Sequence, residues 1–116
     1  TDQITVFHNP RCSKSRQTLA LLEDAGITPH VIEYLNQPPT VDELELLADQ
    51  LGLKPCEFIR SKEPAYTALD PPGPERSGRQ LLEAMAADPI LIERPIVVRG
   101  DRAVLGRPPE NVRRLL

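Results

Sequence analysis

Cys12 is the residue of this sequence best placed to act as a nucleophile. A cysteine reacts as its thiolate, and with a pKa near about 8.5 only a small fraction is ionised at neutral pH. A helical pattern begins at Ser13, so Cys12 lies where unpaired N–H groups and the positive end of the helix dipole stabilise an anion. His8 could add positive charge near the thiol or cap the loop, and Ser15 could donate a hydrogen bond to the sulfur. We therefore predict a reactive thiolate at Cys12.

The alternative for any free cysteine is a small buried hydrophobe, which is the commoner case. Polar neighbours, Arg11 and Lys14 among them, favour the reactive interpretation of Cys12. Cys56 lies beside Phe58 in an apolar helical pattern, and we interpret it as a packing residue, with a redox role as the alternative. Since no second thiol follows Cys12 at C-x-x-C spacing, a disulfide formed there must be resolved by an external thiol.

After Cys12, the arginines are the residues whose type suggests a chemical role. Arg outnumbers Lys 11 to 3, and its rigid fork of donors suits oxyanions, although genome base bias also produces Arg-rich proteins. Residues 38–93 hold 11 acidic and 5 basic side chains, whereas residues 94–116 hold 2 acidic and 6 basic ones. We interpret the basic residues around the Cys12 loop as solvated surface charge, with electrostatic steering as the alternative.

The composition limits the class of protein. A chain of 116 residues with 40% hydrophobic and 27% charged residues fits one soluble domain. A net charge of −3, two Phe, two Tyr and no Trp argue against nucleic-acid binding. No long apolar run or signal-like segment is visible, and two cysteines are too few for a disulfide scaffold, so we expect a cytoplasmic protein without a membrane partner. Neither metal-ligand spacing nor a Gly-rich nucleotide motif is present, so we predict no bound metal or cofactor.

Two ends of the chain carry strand signals. Ile4–Phe7 predicts a first strand, Ser13–Ala25 a helix ending at Gly26, and Val31–Tyr34 a second strand, which together form a right-handed parallel βαβ unit. Ile96–Arg99 and a returning strand of residues 103–105 are separated by Gly100-Asp101, a two-residue hairpin turn. A short helix over residues 108–116 follows.

The middle of the chain carries helix signals. Capping boxes at Thr40 and Ser77 begin two helices, which run to about Leu51 and Met85. Short helices are predicted over residues 55–60 and 66–69, and the proline-rich residues 70–74 predict an exposed connection. The order predicts an α/β, thioredoxin-like fold: one domain over 1–116, with a four-stranded mixed sheet and a helical insertion at about 38–88 between the second and third strands. An α/β domain of unrelated topology is the alternative.

The run His8-Asn9-Pro10-Arg11-Cys12-Ser13-Lys14-Ser15-Arg16-Gln17-Thr18-Leu19 resembles the signature H-N-P-x-C-x-x-S-R-x-T-L of the ArsC family, the glutaredoxin-coupled arsenate reductases. The resemblance continues, in order and at matching spacing, through Tyr34-Leu35, Pro38-Pro39-Thr40, Arg60, Asp88-Pro89-Ile90-Leu91-Ile92, Arg94-Pro95-Ile96-Val97-Val98 and Arg107-Pro108. The chain is most similar to a short branch of oxidoreductases within this family.

The resemblance implies that Cys12 attacks the arsenic of arsenate to form a covalent adduct. It implies that glutathione then enters as co-substrate and that glutaredoxin removes the mixed disulfide as arsenite leaves, a reaction of arsenic detoxification. His8 and Ser15 would assist Cys12, and Asn9 and Pro95 would shape the site, with a cis peptide before Pro95. The implied oxyanion ligands are Arg60, Arg94 and Arg107.

Three arginines meet an electrostatic need of this reaction. Arsenate and a thiolate are both anions, and at about 4 Å and an effective dielectric near 20 each arginine offsets their repulsion by roughly 4 kcal/mol before desolvation. From the residues alone, we would interpret Arg60 as a cation at the end of a short helix, where it favours the helix dipole. We would interpret Arg107 as a solvated loop residue.

Two alternatives to arsenate reduction stay open. One is a monothiol glutaredoxin-like oxidoreductase that acts on glutathione mixed disulfides and not on arsenate. The other is an Spx-like regulator that binds RNA polymerase, against which the three arginines and the missing second cysteine argue. For the reductase, the expected partners are arsenate or a similar oxyanion, glutathione and glutaredoxin, and we expect a monomer.

Overall fold

A computed structural model describes residues 3–116 and contains one four-stranded sheet. In chain order the strands are β1 (Ile4–His8), β2 (His30–Glu33), β3 (Ile96–Arg99) and β4 (Arg102–Leu105). They are arranged β2-β1-β3-β4, with β1 parallel to β2 and antiparallel to β3, and with β3 antiparallel to β4. The predicted parallel βαβ unit, the hairpin and the mixed sheet are therefore confirmed.

The side chains of β1 point alternately to the two faces of the sheet, and only one of these faces is fully buried. Ile4, Val6 and His8 are buried, while Thr5 and Phe7 between them are only partly covered, because successive side chains of a strand point to opposite faces. The buried face joins a core cluster formed by Ile4, Val6, Leu22, Val97, Val112 and Leu115. His8 is thus the polar residue at the end of an otherwise apolar strand face.

Helix α1 (Ser13–Asp24) begins directly after Cys12 and ends before Gly26, whose φ of 78° only glycine adopts easily. The C-terminal segment Pro109–Leu115 packs against α1 and β4. This segment was predicted as a short helix and is a 3-10 helix in the structure.

By their contacts, residues 3–37 and 94–116 form one compact unit, and Pro38–Glu93 form a second. The second unit contains α2 (Val41–Leu51), α3 (Pro64–Thr67) and α4 (Gly78–Ala87), with α2 packed against α4. Its 3-10 helices are Pro55–Glu57, Gly73–Glu75 and Pro89–Leu91. The insertion between β2 and β3 is confirmed and extends to Glu93, beyond the predicted end near residue 88.

Both predicted capping boxes are present. The side chains of Thr40 and Glu43 exchange hydrogen bonds with each other's backbone at the start of α2, and Ser77 and Gln80 do the same for α4. Each box satisfies two backbone N–H groups that a helix start otherwise leaves unpaired. The two helices therefore begin where the sequence places them.

The predicted helix over residues 55–60 is wrong beyond its first turn. After Glu57 the chain becomes extended, and Ile59 forms an antiparallel bridge with Ile92. The backbone N–H of Arg60 donates to the carbonyl of Leu91 at 2.7 Å, so it cannot also close a helical turn. The prediction failed because the partner of this segment lies some thirty residues away in sequence.

Two smaller differences also lie in the second unit. The helix predicted near residues 66–69 spans Pro64–Thr67, beginning at its proline. The predicted exposed connection over residues 70–74 includes Gly73, which is buried against Tyr66 and begins a 3-10 turn. None of the helices within residues 3–116 combines the length and apolar character that crossing a bilayer requires.

Candidate active site

A tight loop connects β1 to α1 and presents Cys12. The N–H of Cys12 donates to the carbonyl of Asn9 at 3.0 Å, and the Asn9 side-chain oxygen accepts from the N–H of Arg11 at 3.0 Å. Cys12 is the N-cap residue of α1. The backbone N–H groups of Lys14 and Ser15, in the first turn of this helix, lie within reach of its sulfur.

The pKa of the Cys12 thiol lies below its ordinary value. Burial is the largest influence and raises this pKa, since Cys12 is only 8% exposed. The backbone N–H of Ser15, the charge of Arg94, the backbone N–H of Lys14 and a hydrogen bond from Arg94 together lower it by more. The thiolate is thus stabilised by helix N–H groups and a guanidinium acting together.

Sheet pairing explains why two arginines approach this sulfur. Because Ile96 pairs with Phe7 on one side and with Leu105 on the other, the end of β1, the start of β3 and the end of β4 lie side by side. Arg94 lies just before β3 and Arg107 just after β4, so both arginines emerge near the Cys12 loop. The pairing thereby brings together residues that are 95 positions apart in sequence.

Arg107 lies directly against the Cys12 sulfur. Its Nη1 atom lies 3.9 Å from Cys12 Sγ and donates to the Arg94 carbonyl at 3.3 Å. The Arg94–Pro95 peptide is cis, as the family resemblance implied, and the N–H of Gly106 donates to the Pro95 carbonyl at 2.9 Å. Two guanidinium groups therefore accompany one thiolate, which is an arrangement suited to receiving an oxyanion next to a sulfur nucleophile.

Ser15 acts on the loop as well as on the sulfur. It is fully buried, and its hydroxyl oxygen accepts a hydrogen bond from the N–H of Asn9 at 3.3 Å. The hydrogen bond toward Cys12 comes from the Ser15 backbone N–H. The side chain of Ser15 thus connects α1 to the loop, while its main chain stabilises the thiolate.

Burial of His8 disfavours the positive charge considered for it from the sequence. Its side chain is 7% exposed, and burial, with a smaller contribution from the charge of Arg16, lowers its pKa below 6.5, although Glu33 opposes this shift. The neutral form of the imidazole is therefore favoured. Its Nδ1 atom is buried without a hydrogen-bond partner among the described residues. A cavity of about 310 Å³ lies beside it, lined by His8, Asn9, Pro10, Arg11, Glu33, Leu35 and Asn36.

Arg60 belongs to the unit formed by residues 38–93. Its guanidinium pairs with Glu63 at 2.6 Å and donates to the carbonyl of Ile90 at 3.5 Å. Glu63 was not singled out from the sequence, although its i,i+3 spacing from Arg60 is a recognised pairing signal. The role of Arg60 as an oxyanion ligand stays a prediction from the family resemblance.

Cys56 is exposed, so its interpretation as a packing residue is wrong. It lies in the single 3-10 turn Pro55–Glu57, and the apolar residues that are buried here are Phe58 and Ile59 in the extended segment that follows. Within residues 3–116, no three His, Cys, Asp or Glu side chains come together as metal ligands.

Two residues that position the loops were missed. The Arg16 guanidinium donates to the Pro10 carbonyl at 3.0 Å and so holds the Cys12 loop, where the sequence indicated only surface charge. Gly106 is buried next to α1: a Cβ atom there would lie 2.5 Å from Thr18 Oγ1 and 2.7 Å from Pro95 Cγ. A glycine between β4 and Arg107 was a visible signal for such a close approach.

The mixed sheet and a cysteine of lowered pKa at a helix N-terminus define a thioredoxin-like α/β protein. The ArsC family model matches residues 7–115, so the chain belongs to the ArsC family.

An arsenate reductase from Haemophilus influenzae is 43% identical over 97% of this chain and 98% of its own length. A protein of Escherichia coli K12 named as uncharacterized, YfgD, is 44% identical over 97% of this chain and 95% of its own length. A solved arsenate reductase from Vibrio cholerae is 49% identical, with a TM-score of 0.95 over 100% of this chain and 99% of that one. The predicted fold is confirmed.

Proposed function

We propose that this protein is a thiol-dependent arsenate reductase that uses glutathione and glutaredoxin as its reducing system. The observation that carries the proposal is a thiol of lowered pKa with a guanidinium nitrogen 3.9 Å from its sulfur. Relatives named arsenate reductase align over nearly the whole chain, which supports arsenate as the oxyanion. We also propose that the enzyme is a monomer and works in the cytoplasm. A reducing compartment suits the proposed reaction because it keeps Cys12 as a free thiol.

Oxyanion binding is the first requirement of the proposed reaction. Arsenate carries one to two negative charges at neutral pH and must approach a thiolate. Arg94 and Arg107 offset this repulsion, each by roughly 4 kcal/mol at about 4 Å and an effective dielectric near 20, before desolvation is subtracted. Their planar donors also fix the orientation of the oxyanion, which a lysine ammonium would not do.

The chemistry then proceeds in three steps. The Cys12 thiolate forms a sulfur–arsenic bond while one arsenate oxygen leaves as water. The thiolate of glutathione attacks the Cys12 sulfur, a disulfide bond forms, and the electron pair of the broken sulfur–arsenic bond stays on arsenic, which departs as arsenite. A glutaredoxin thiolate finally takes the glutathionyl group and frees Cys12. Two thiols lose one electron each and arsenic gains two.

A coupled assay tests this proposal. The chain is mixed with arsenate, glutathione, glutaredoxin, glutathione reductase and NADPH, and both NADPH oxidation and arsenite are measured. We expect arsenite formation to require arsenate, glutathione and glutaredoxin, to disappear in Cys12→Ser and to persist in the matched control Cys56→Ser. NADPH oxidation should require glutathione reductase as well. Absence of arsenite from the wild-type chain, or full activity of Cys12→Ser, would contradict the proposal.

The second candidate is a glutathione-linked disulfide oxidoreductase. The lowered pKa of Cys12 favours it equally, since thiol–disulfide exchange also needs a thiolate. The same coupled system without arsenate, with a glutathione mixed disulfide as substrate, distinguishes the two. Turnover of the mixed disulfide together with no arsenite formation would favour the second candidate. A pull-down with RNA polymerase tests the regulatory alternative.

A further inference from the structure

One side-chain amide holds the loop that carries Arg107. The Nδ2 group of Asn111 donates to the carbonyl of Leu105 at 3.2 Å and to the carbonyl of Arg107 at 3.1 Å. These carbonyls belong to the residues on either side of Gly106. The amide therefore fixes the chain both where it leaves β4 and where it carries the arginine.

The orientation of this amide is determined by its partners. Asn111 Oδ1 accepts a hydrogen bond from Arg114 Nη2 at 3.1 Å, and a guanidinium can only donate. The carbonyls of Leu105 and Arg107 can only accept, so the Nδ2 group must face them. The backbone of Asn111 is anchored too, because its N–H donates to the Pro108 carbonyl at 3.0 Å.

We infer that Asn111 is a positioning residue that directs the Arg107 guanidinium to the Cys12 sulfur and to the oxyanion bound there. Arg107 is exposed and lies outside the strand and helix ladders, so the backbone from which its side chain projects would otherwise sample several conformations. Clamping its backbone carbonyl removes part of this freedom before the oxyanion arrives, which is how preorganisation raises affinity. The oxyanion part of this inference rests on the proposed function, whereas the contact between Arg107 and Cys12 does not.

The test measures how arsenate protects Cys12 from alkylation by iodoacetamide, in a Cys56→Ser background. Asn111→Leu keeps the size of the side chain and adds no charge but removes both donors. We expect the half-protecting arsenate concentration to rise about tenfold, toward the larger rise of Arg107→Leu, since an ionic hydrogen bond contributes roughly a tenfold or greater effect. In the coupled assay KM should rise in parallel while kcat changes by less than about twofold.

Three companion variants separate positioning from folding. Asn111→Gln retains the amide and should recover part of the protection. Gln3→Leu removes an exposed amide that precedes β1, at the far end of that strand from His8, and should match wild type. Adding Asn111→Leu to Arg107→Leu should cause no further loss, because a residue that acts through Arg107 has no effect once Arg107 is absent. Far-UV circular dichroism establishes that each variant is folded.

Wild-type protection in a folded Asn111→Leu variant would overturn the inference, as would a lower kcat at unchanged KM or additive effects in the double variant. If the wild-type chain forms no arsenite but arsenate or phosphate still protects Cys12 in a manner that depends on Asn111 and Arg107, the proposed function fails and the inference stands.

Discussion

The strongest single test concerns the charge of Arg94 beside the Cys12 sulfur. Arg94→Gln removes the charge and retains a hydrogen-bond donor, whereas Arg94→Lys retains the charge and loses the planar fork. If the two variants differ, the contribution of the charge is separated from that of the geometry. Arg113→Gln is the matched control, because Arg113 is exposed and its loss changes the net charge by the same amount.

The size of the effect follows from Coulomb's law. A unit charge at about 4 Å stabilises the thiolate by about 4 kcal/mol at an effective dielectric of 20 and by about 1 kcal/mol in water. Arg94 also donates a hydrogen bond to Cys12, but the Arg94 side chain is only partly buried, so we expect a value toward the lower limit. Arg94→Gln should therefore raise the pKa of Cys12 by about one unit, and Arg94→Lys by much less.

The assay is the rate of Cys12 alkylation as a function of pH, again in the Cys56→Ser background. Below the pKa the rate follows the thiolate fraction, so Arg94→Gln should react up to about tenfold more slowly at pH 7. Arg94→Lys should keep nearly wild-type alkylation but lose protection by arsenate. The reasoning is refuted if folded Arg94→Gln has the wild-type pH profile, or if Arg113→Gln shifts the profile as far.

Three further predictions concern residues that support the site and the fold. Gly106→Ala should cost about 1–3 kcal/mol in the free energy of unfolding by urea and should weaken arsenate protection, because its Cβ would meet Thr18; unchanged stability would contradict the close approach. Burial lowers the pKa of His8, so its neutral form is favoured in the folded state: its contribution to stability is complete above pH 6.5 and is lost as the pH falls through its folded pKa. His8→Gln should flatten the decrease in stability between about pH 7.5 and 5, and an unchanged decrease would argue against a buried neutral imidazole. Thr40→Ala should cost about 1 kcal/mol in urea unfolding by removing the acceptor for the N–H of Glu43, and a stability equal to wild type would show that the cap contributes little.

Much of the fold was predictable because its signals are local. The capping residues Thr40 and Ser77 begin helices in the structure, and Gly100 forms the hairpin turn between β3 and β4. The side chains that specify these features lie within a few residues of the backbone groups they satisfy. The predicted secondary structure was wrong where a segment distant in sequence provided the backbone hydrogen bonds. Ile59, for example, pairs with Ile92 and does not continue the predicted helix.

The sequence by itself determined that Cys12 lies at the start of a helix, and with the family signature it indicated which arginines to consider. Only the tertiary structure decided that Arg107 reaches the sulfur, that His8 is buried and that Asn111 clamps the arginine loop. The physical reason is the range of the interactions. A helix start is encoded by its neighbouring residues, whereas the environment of a thiol depends on which strands pair and on which main-chain groups that pairing brings beside it.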